Sequence, residues 1–330
     1  MPAGTPARPP LHSAPSPTDG PRRPTIHPGE TRMAEPTRRT PPQTRGITLD
    51  ADGLRLSALL ALPQQLPPRA VVVAVHGGGM RAGYFDSRAR PGHSLLTLGA
   101  ELGYAVLAVD RPGYGASAAQ LPQGQSLADQ SATLRAALTD FARNQERGAG
   151  YFVVAHSNGG KLALALAAGH EPGTDLVGLD ISGLGTHLAV EPHDLPGPDR
   201  PGTWRRHWGP LRLYPPEAFG QCRDVVAPVP ALEAQEAARW PQIYQDIAAR
   251  VRVPVRFTFA EQEQWWHQDE QALRALRAPL AAPHVVIDRQ PDAGHNISLG
   301  WASRTYHLQA LAFLEKCLLA RETAAVTAPR

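Results

Sequence analysis

Cysteine and lysine are both scarce in this chain, with two of each among 330 residues. Cys222 and Cys317 lie far apart and have no metal-type ligands beside them, so neither a disulfide framework nor a zinc site is indicated. A reducing cytoplasm is the simplest setting for such a chain. Cys317 falls in the apolar run LAFLEKCLL, where we expect a core residue, and neither thiol is a candidate nucleophile.

Long apolar runs and a strong charge imbalance are also missing. No stretch approaches the ~20 apolar residues that a membrane-spanning helix needs. The formal net charge is +3, and residues 1–46 alone hold +4, because seven arginines face three acidic residues there. The remainder is nearly neutral, which gives no reason to expect nucleic-acid binding. The wealth of arginine, alanine and proline beside so little lysine is typical of a G+C-rich, bacterial genome.

The first 46 residues differ from the rest of the chain. They hold 12 of the 34 prolines and almost no large apolar residues, so they are predicted to form a disordered tail. No apolar segment of a signal peptide is found there. Met33 begins MAEPTRRT and is interpreted as the natural start, with a regulatory tail as the alternative. Residues 323–330 are predicted to form a flexible end.

Strand-like and helix-like runs alternate over the rest of the chain. Ile47 to Leu62 reads as a hairpin turning at Asp52-Gly53, and later apolar runs read as strands. These runs are Ala70 to Val75, Ala105 to Val109, Tyr151 to Ala155, Leu176 to Ile181, Val255 to Phe259 and His284 to Asp288. Such alternation predicts a mostly parallel α/β sheet flanked by helices, formed by residues 47–182 and 251–322. The proline- and tryptophan-rich segment 183–250 interrupts it and is predicted to be a small helical cap after the sixth strand.

The stretch YFVVAHSNGG, residues 151–160, organises this pattern. An apolar run ends in a turn of small residues, with Ser157 at the apex, and a helical run follows at once. One interpretation is an ordinary strand-to-helix connection with serine as the helix N-cap. The other is a nucleophile elbow, usually written G-x-S-x-G, in which Ala155 replaces the first glycine.

Three further motifs follow predicted strands in an order that favours the elbow. They are HGGG at residues 76–79, DRPGYGAS at 110–117 and DAGH at 292–295. With AHSNG at 155–159, they make residues 46–320 resemble the α/β-hydrolase superfamily of serine hydrolases. The resemblance implies an α/β-hydrolase fold, an oxyanion hole in the HGGG loop, and no cofactor or metal.

The resemblance also implies a catalytic triad in the chain order nucleophile, acid, base. Ser157 takes the position of the nucleophile and His295 that of the base. Glu263 takes the position of the acid, with Glu261 as the rival, because the family often has G-E-x-D after this strand. Backbone N–H groups of Gly78 or Gly79 and of Asn158 are the expected oxyanion donors. His76 and His156 are expected to support the site structurally.

The implied function is hydrolysis of a carboxylic ester or thioester of moderate size and largely apolar character, through an acyl-enzyme. The expected substrate-binding residues are aromatic: Tyr84 and Phe85 at the pocket mouth, Trp204, Trp208 and Trp265. For Trp204 and Trp208, plain packing within the cap is an equal alternative. Acyl transfer or carbon–carbon bond hydrolysis on the same triad is the alternative reaction, and a non-catalytic ligand-binding homologue is the alternative of another class.

Overall fold

A computed structural model of the protein describes residues 42–169, 175–191, 194–195 and 204–327; for Trp204, Cys222, Arg223 and Thr327 it describes the backbone alone. Most of the predicted disordered tail, with Met33, lies outside these residues. The first strand starts at Thr44, three residues before the predicted start of the core at Ile47.

Eight strands of the described chain form one sheet in the order β1-β2-β4-β3-β5-β6-β7-β8. β1 and β2 pair antiparallel, as do β2 and β4, and all other neighbours are parallel. Their bounds are Thr44–Ala51 (β1), Leu54–Ala61 (β2), Val71–Val75 (β3), Ala105–Val109 (β4), Tyr151–His156 (β5), Leu176–Ser182 (β6), Val255–Gln262 (β7) and Val285–Gly294 (β8). The mostly parallel sheet confirms the predicted fold class.

The central strands β3 and β4 are apolar at every position because both faces of the sheet are covered. In β3, Val71, Val73 and Val75 pack into one core cluster, whereas Val72 and Ala74 pack into a second cluster on the other face. Alternate residues of a strand point to opposite faces, so a continuous valine and alanine run fills two cores. This rigid centre carries the loops that form the site.

Nine helices of the described chain flank the sheet or lie between β6 and β7. Their bounds are Leu95–Glu101 (α1), Leu127–Asn144 (α2), Asn158–Ala168 (α3), Trp204–Trp208 (α4), Pro216–Val225 (α5), Ala231–Ala237 (α6), Trp240–Ala248 (α7), Glu270–Arg277 (α8) and Ser303–Thr327 (α9). Residues of α2 and α3 belong to the first core cluster. Residues of α1 and α9 belong to the second, so each face of the sheet has its own helical layer.

Helices α4 to α7 occupy the segment where the sequence predicts a cap. α6 and α7 are separate, and Pro241 lies in the first turn of α7, where a missing N–H costs nothing. Pro241 therefore marks the start of a helix and does not interrupt one. The described part of the chain has no helix that combines the length and the apolar character needed to cross a membrane.

The end of the chain differs from the prediction. α9 continues to Thr327, whereas residues 323–330 were expected to be flexible. Glu322, Ala324 and Ala325 are good helix formers, so they extend the helix without core contacts of their own. Residues 328–330 lie outside the described part.

Candidate active site

Ser157 lies at the apex of the turn between β5 and α3. Its φ of 51° and ψ of −119° are strained for a residue that carries a Cβ. The side chain makes no capping hydrogen bond to α3 in the described structure. The interpretation of Ser157 as a helix N-cap therefore does not fit, and the residue instead lines a cavity.

Two glycines just after Ser157 allow the neighbouring strands to lie close to this turn. A Cβ built on Gly159 would lie 2.2 Å from the Val75 carbonyl oxygen, and one built on Gly160 would lie 2.5 Å from Ile181 Cγ2. Val75 and Ile181 are on the strands to either side of β5. Packing from both neighbouring strands therefore holds the strained backbone at Ser157.

His295 and Glu263 meet beyond the carboxyl ends of β8 and β7. Nδ1 of His295 lies 2.8 and 3.0 Å from the two carboxylate oxygens of Glu263, and both side chains are buried. The backbone N–H groups of Gln264 and Trp265 donate to the same carboxylate, each at 3.0 Å. Burial opposes ionisation of Glu263, but His295 and the two N–H donors outweigh it and hold the pKa of Glu263 below its ordinary value.

Glu261, the rival acid, makes a different contact. Its carboxylate accepts the backbone N–H of Asp292 at 2.9 Å. Asp292 has a positive φ of 53°, so Glu261 supports the strained turn that precedes His295. Of the two glutamates, Glu263 has the contact with the histidine that a triad requires.

Tyr84 and Phe85 lie beneath the site and not at its mouth. Both are fully buried, and the Tyr84 ring stacks on His156 with 4.7 Å between centroids. The Tyr84 hydroxyl accepts the backbone N–H of Ser298 at 3.3 Å. The prediction that these two residues line the pocket mouth is wrong, because the 3-10 helix Ala82–Phe85 turns both rings into the core.

His156 and His76 both support the site. Burial, with neighbouring histidines, lowers the pKa of His156 well below its ordinary value, and its ring packs 4.7 Å from that of His295. Burial and the charge of Arg111 likewise lower the pKa of His76. Nε2 of His76 accepts the backbone N–H of Arg111 at 3.0 Å, so the proton is on Nδ1. Both rings are therefore neutral supports of the loops around them.

The HGGG loop after β3 runs beside the nucleophile. A Cβ on Gly77 would lie 3.1 Å from Ser157 Cβ, so this approach requires glycine. Gly78 and Asn158 line the cavity with Ser157. The N–H of Gly79 instead donates to the Tyr114 hydroxyl at 3.2 Å. The N–H of Gly79, one of the predicted oxyanion donors, is thus already used in another hydrogen bond.

Glu233 on α6 is a cavity residue that the sequence analysis missed. Its Oε1 accepts hydrogen bonds from Arg111 Nη2 at 2.9 Å and from Asn158 Nδ2 at 2.6 Å. Its Oε2 accepts the Tyr114 hydroxyl at 3.1 Å. Burial opposes ionisation, but Arg111 and Asn158 outweigh it and keep the pKa of Glu233 below its ordinary value. The network joins a helix of the predicted cap to the loop after β4 and to the elbow helix.

Lys161 was missed as well. It follows Ser157 by one helical turn, is only 9% exposed, and lines the same cavity. Its ammonium nitrogen lies 5.5 Å from the centroid of the Trp240 ring, which is a cation–π distance. Burial lowers the pKa of Lys161 to about 8, against the opposing charge of Glu233. The side chain is therefore mostly protonated at neutral pH.

The cavity that these residues share has a volume of about 60 Å³. Its other walls are mainly apolar or aromatic and consist of Leu188, Leu195, His207, Val229, Ala234, Ala237, Trp265 and Trp266. The segment between β6 and β7 supplies most of them. A small apolar space thus adjoins one serine, one histidine and a group of buried charges.

Only some of the aromatic residues predicted to bind substrate line the cavity. Trp265 lines the cavity, and so does Trp266, which the sequence analysis did not select. Trp208 is buried against Tyr214 and Phe219, with ring centroids 4.8 and 5.1 Å away. The prediction that Trp208 roofs the cavity is wrong. The alternative, packing within the cap segment, agrees with these contacts. The side chain of Trp204 lies outside the described residues.

The chain belongs to the alpha/beta hydrolase family, whose model matches residues 72–305. This match covers most of the sequence and agrees with the sheet and the site described above. It confirms the superfamily inferred from the four motifs, and the protein is a hydrolase. No curated protein matches the chain.

Solved structures show the same fold at low sequence identity. A highly thermostable carboxyl esterase from Bacillus coagulans is 18% identical, with a TM-score of 0.59 over 85% of this chain and 100% of that one. Est1E from Butyrivibrio proteoclasticus, solved with ferulic acid bound, is 15% identical, with a TM-score of 0.55 over 83% and 99%. A peroxisomal alpha/beta-hydrolase from Saccharomyces cerevisiae is 16% identical, with a TM-score of 0.53 over 88% and 90%.

Proposed function

We propose that the protein hydrolyses a carboxylic ester or thioester through an acyl-enzyme formed on Ser157. The observation that carries the proposal is the buried contact between Glu263 and His295 Nδ1 beside the cavity that Ser157 lines. Likeness to a carboxyl esterase supports ester hydrolysis in general. The small, largely apolar cavity fits a substrate of modest size, and the mechanism requires no cofactor.

In the proposed reaction, His295 acts as the general base. Its Nδ1–H donates to Glu263, which leaves Nε2 free to take the proton of the Ser157 hydroxyl as the oxygen attacks the carbonyl carbon. The same proton then goes to the leaving alcohol or thiol, and the acyl group stays on Ser157. A water molecule repeats the sequence, again with His295 as the base, and releases the acid. Glu263 holds the tautomer and stabilises the imidazolium.

The developing oxyanion needs donors that are already in place. We assign this role to the backbone N–H groups of Gly78 and Asn158, because both residues line the cavity. Asn158 is the first residue of α3, so its N–H has no partner within the helix. Gly79 is set aside, since its N–H donates to Tyr114.

The first experiment is labelling with a fluorophosphonate probe, followed by mapping of the modified residue. Wild-type protein should be labelled at Ser157, and Ser157→Ala should lose the label, lose nearly all hydrolysis of short esters and thioesters, and remain folded by circular dichroism. A wild-type protein that neither reacts nor hydrolyses would instead favour the non-catalytic ligand-binding alternative. Ester turnover by Ser157→Ala near the wild-type rate would contradict the serine mechanism.

A further inference from the structure

The proposed mechanism does not use Lys161. This side chain lies one helical turn beyond Ser157, is 9% exposed and lines the same cavity. Among the residues that the structure describes, none accepts a hydrogen bond from its ammonium group; its described neighbour is the Trp240 ring. A buried charge without a hydrogen-bonded partner is unfavourable, so the position suits a ligand group that supplies the missing acceptor.

Two carboxylates act on Lys161, those of Glu233 and Glu236, and both are hydrogen-bonded to other groups. Glu233 is already engaged by Arg111, Asn158 and Tyr114. Glu236, also on α6, accepts the backbone N–H of Leu127. These two carboxylates balance the charges of Lys161 and Arg111, but among the described residues neither accepts a hydrogen bond from the Lys161 ammonium group. Its N–H donors are therefore available to a substrate group in the cavity that Ser157 lines.

We propose that Lys161 binds a carboxylate of the substrate, so that the enzyme prefers short esters or thioesters that carry this group near the scissile carbonyl. The inference rests on the proposed hydrolysis at Ser157. Ser157 and Lys161 line the same cavity, so the attacked carbonyl and the anion would be separated by only a few bonds. The cavity of about 60 Å³ leaves room for a short linker only.

Two pairs of equal-sized esters test this preference and show on which side the carboxylate lies. Monomethyl glutarate and methyl 5-methylhexanoate differ in an acyl-side carboxylate, which an isopropyl group replaces. O-acetylglycolate and isobutyl acetate differ in an alcohol-side carboxylate. We expect kcat/KM at pH 7 to favour the anionic member of one pair by about 10- to 100-fold, the range for one charge-assisted hydrogen bond.

Lys161→Met keeps the length of the side chain and removes its charge. In this variant the ratio of kcat/KM, anionic to neutral ester, should fall by about 10- to 100-fold. The chain's other lysine, Lys316, is exposed on α9, so Lys316→Met is the matched control and should keep the wild-type ratio. Circular dichroism and the melting temperature check the fold of both variants.

The pH dependence of the wild type tests the inference without a substitution. Burial sets the pKa of Lys161 at about 8, with Glu233 and Glu236 raising it and Arg111 lowering it. The preference for the anionic ester should therefore decline as pH rises from 7 to 9, while the substrate carboxylate stays ionised. Taking the ratio of two esters cancels any pH dependence that the two reactions share.

The outcomes separate this inference from the proposed function. Labelling at Ser157 with equal turnover of both members of each pair would overturn carboxylate binding and leave the hydrolase proposal in place. An unchanged ratio in Lys161→Met would do the same and assign Lys161 to packing against Trp240. No label and no turnover of any ester would overturn both.

Discussion

The Glu263 carboxylate accepts hydrogen bonds from two backbone N–H groups and also contacts the His295 ring. A glutamine at this position therefore tests the contact with His295 separately from the backbone contacts. The amide oxygen of Glu263→Gln can keep the N–H bonds from Gln264 and Trp265. Its NH₂ would then face Nδ1, which must become an acceptor. The proton moves to Nε2, and His295 can no longer take the serine proton. We expect kcat to fall by about two to four powers of ten.

Glu261→Gln is the matched control for that variant. Its amide oxygen can still accept the Asp292 N–H, so kcat should fall by less than about tenfold. Both variants are assayed on the same short ester, with circular dichroism to check the fold. If Glu261→Gln is the impaired enzyme, the acid is misassigned by two positions, whereas the assignments of Ser157 and His295 remain.

The sequence allows the selection of Ser157, Glu263 and His295. Each of them follows a strand that can be recognised as an apolar run. Lys161 and Glu233 could not. Lys161 sits in GGKLALALAA, where a lysine normally extends into solvent, and nothing local shows that α7 covers it. Glu233 lies in ALEAQEA, which is typical of an exposed helix, and its partner Arg111 is 122 residues away. Their burial is set by tertiary packing.

At the scale of elements, Glu233 links α6 to the body of the protein. Glu233→Ala would leave the Arg111 guanidinium, itself 2% exposed, buried without its carboxylate. Removing one partner of a buried ion pair costs about 3–5 kcal/mol. We expect a loss of that order in the free energy of unfolding, measured by urea denaturation at pH 7.

Glu236→Ala on the same helix provides the comparison. Glu236 is only half-buried and accepts one backbone N–H, from Leu127. Its loss should cost about 1 kcal/mol. Equal losses for the two variants would mean that the network around Glu233 contributes no more than an ordinary hydrogen bond.

The sheet strands and the long helices were predictable, and the details of the cap segment were not. Continuous apolar runs such as Val71–Val75 have few alternatives once helices alternate with them. The segment between β6 and β7 has short helices. Contacts with residues far away in the sequence decide which face of each helix is buried. Trp208 shows this: helical spacing alone cannot tell whether its ring faces the substrate cavity or Phe219 on α5.

At the scale of the whole molecule, buried neutral histidines make stability depend on pH. Burial lowers the pKa of His307 to about 3 and holds those of His76 and His156 well below the ordinary value. An unfolded histidine titrates at about 6.5, so below that pH the unfolded chain binds more protons. Stability should therefore fall on acidification from pH 6.5 to 5, by up to about 1.4 kcal/mol per pH unit for each histidine.

His307→Gln tests this dependence. Urea denaturation at several pH values should show a slope shallower by about 1.4 kcal/mol per pH unit than that of the wild type. His267 has a half-exposed side chain, so His267→Gln serves as the comparison for the same substitution outside the core. Identical slopes for wild type and His307→Gln would show that His307 does not resist protonation in the folded protein.

The order of the strands has a consequence for synthesis on the ribosome. β5 is central and carries Ser157, whereas β7 and β8 lie beyond β6 at one edge of the sheet and are made after the segment between β6 and β7. A nascent chain thus has its serine long before Glu263 and His295 are translated. Under the proposed mechanism, Ser157 lacks its base throughout that interval, so a partly made chain would not attack the metabolites around it.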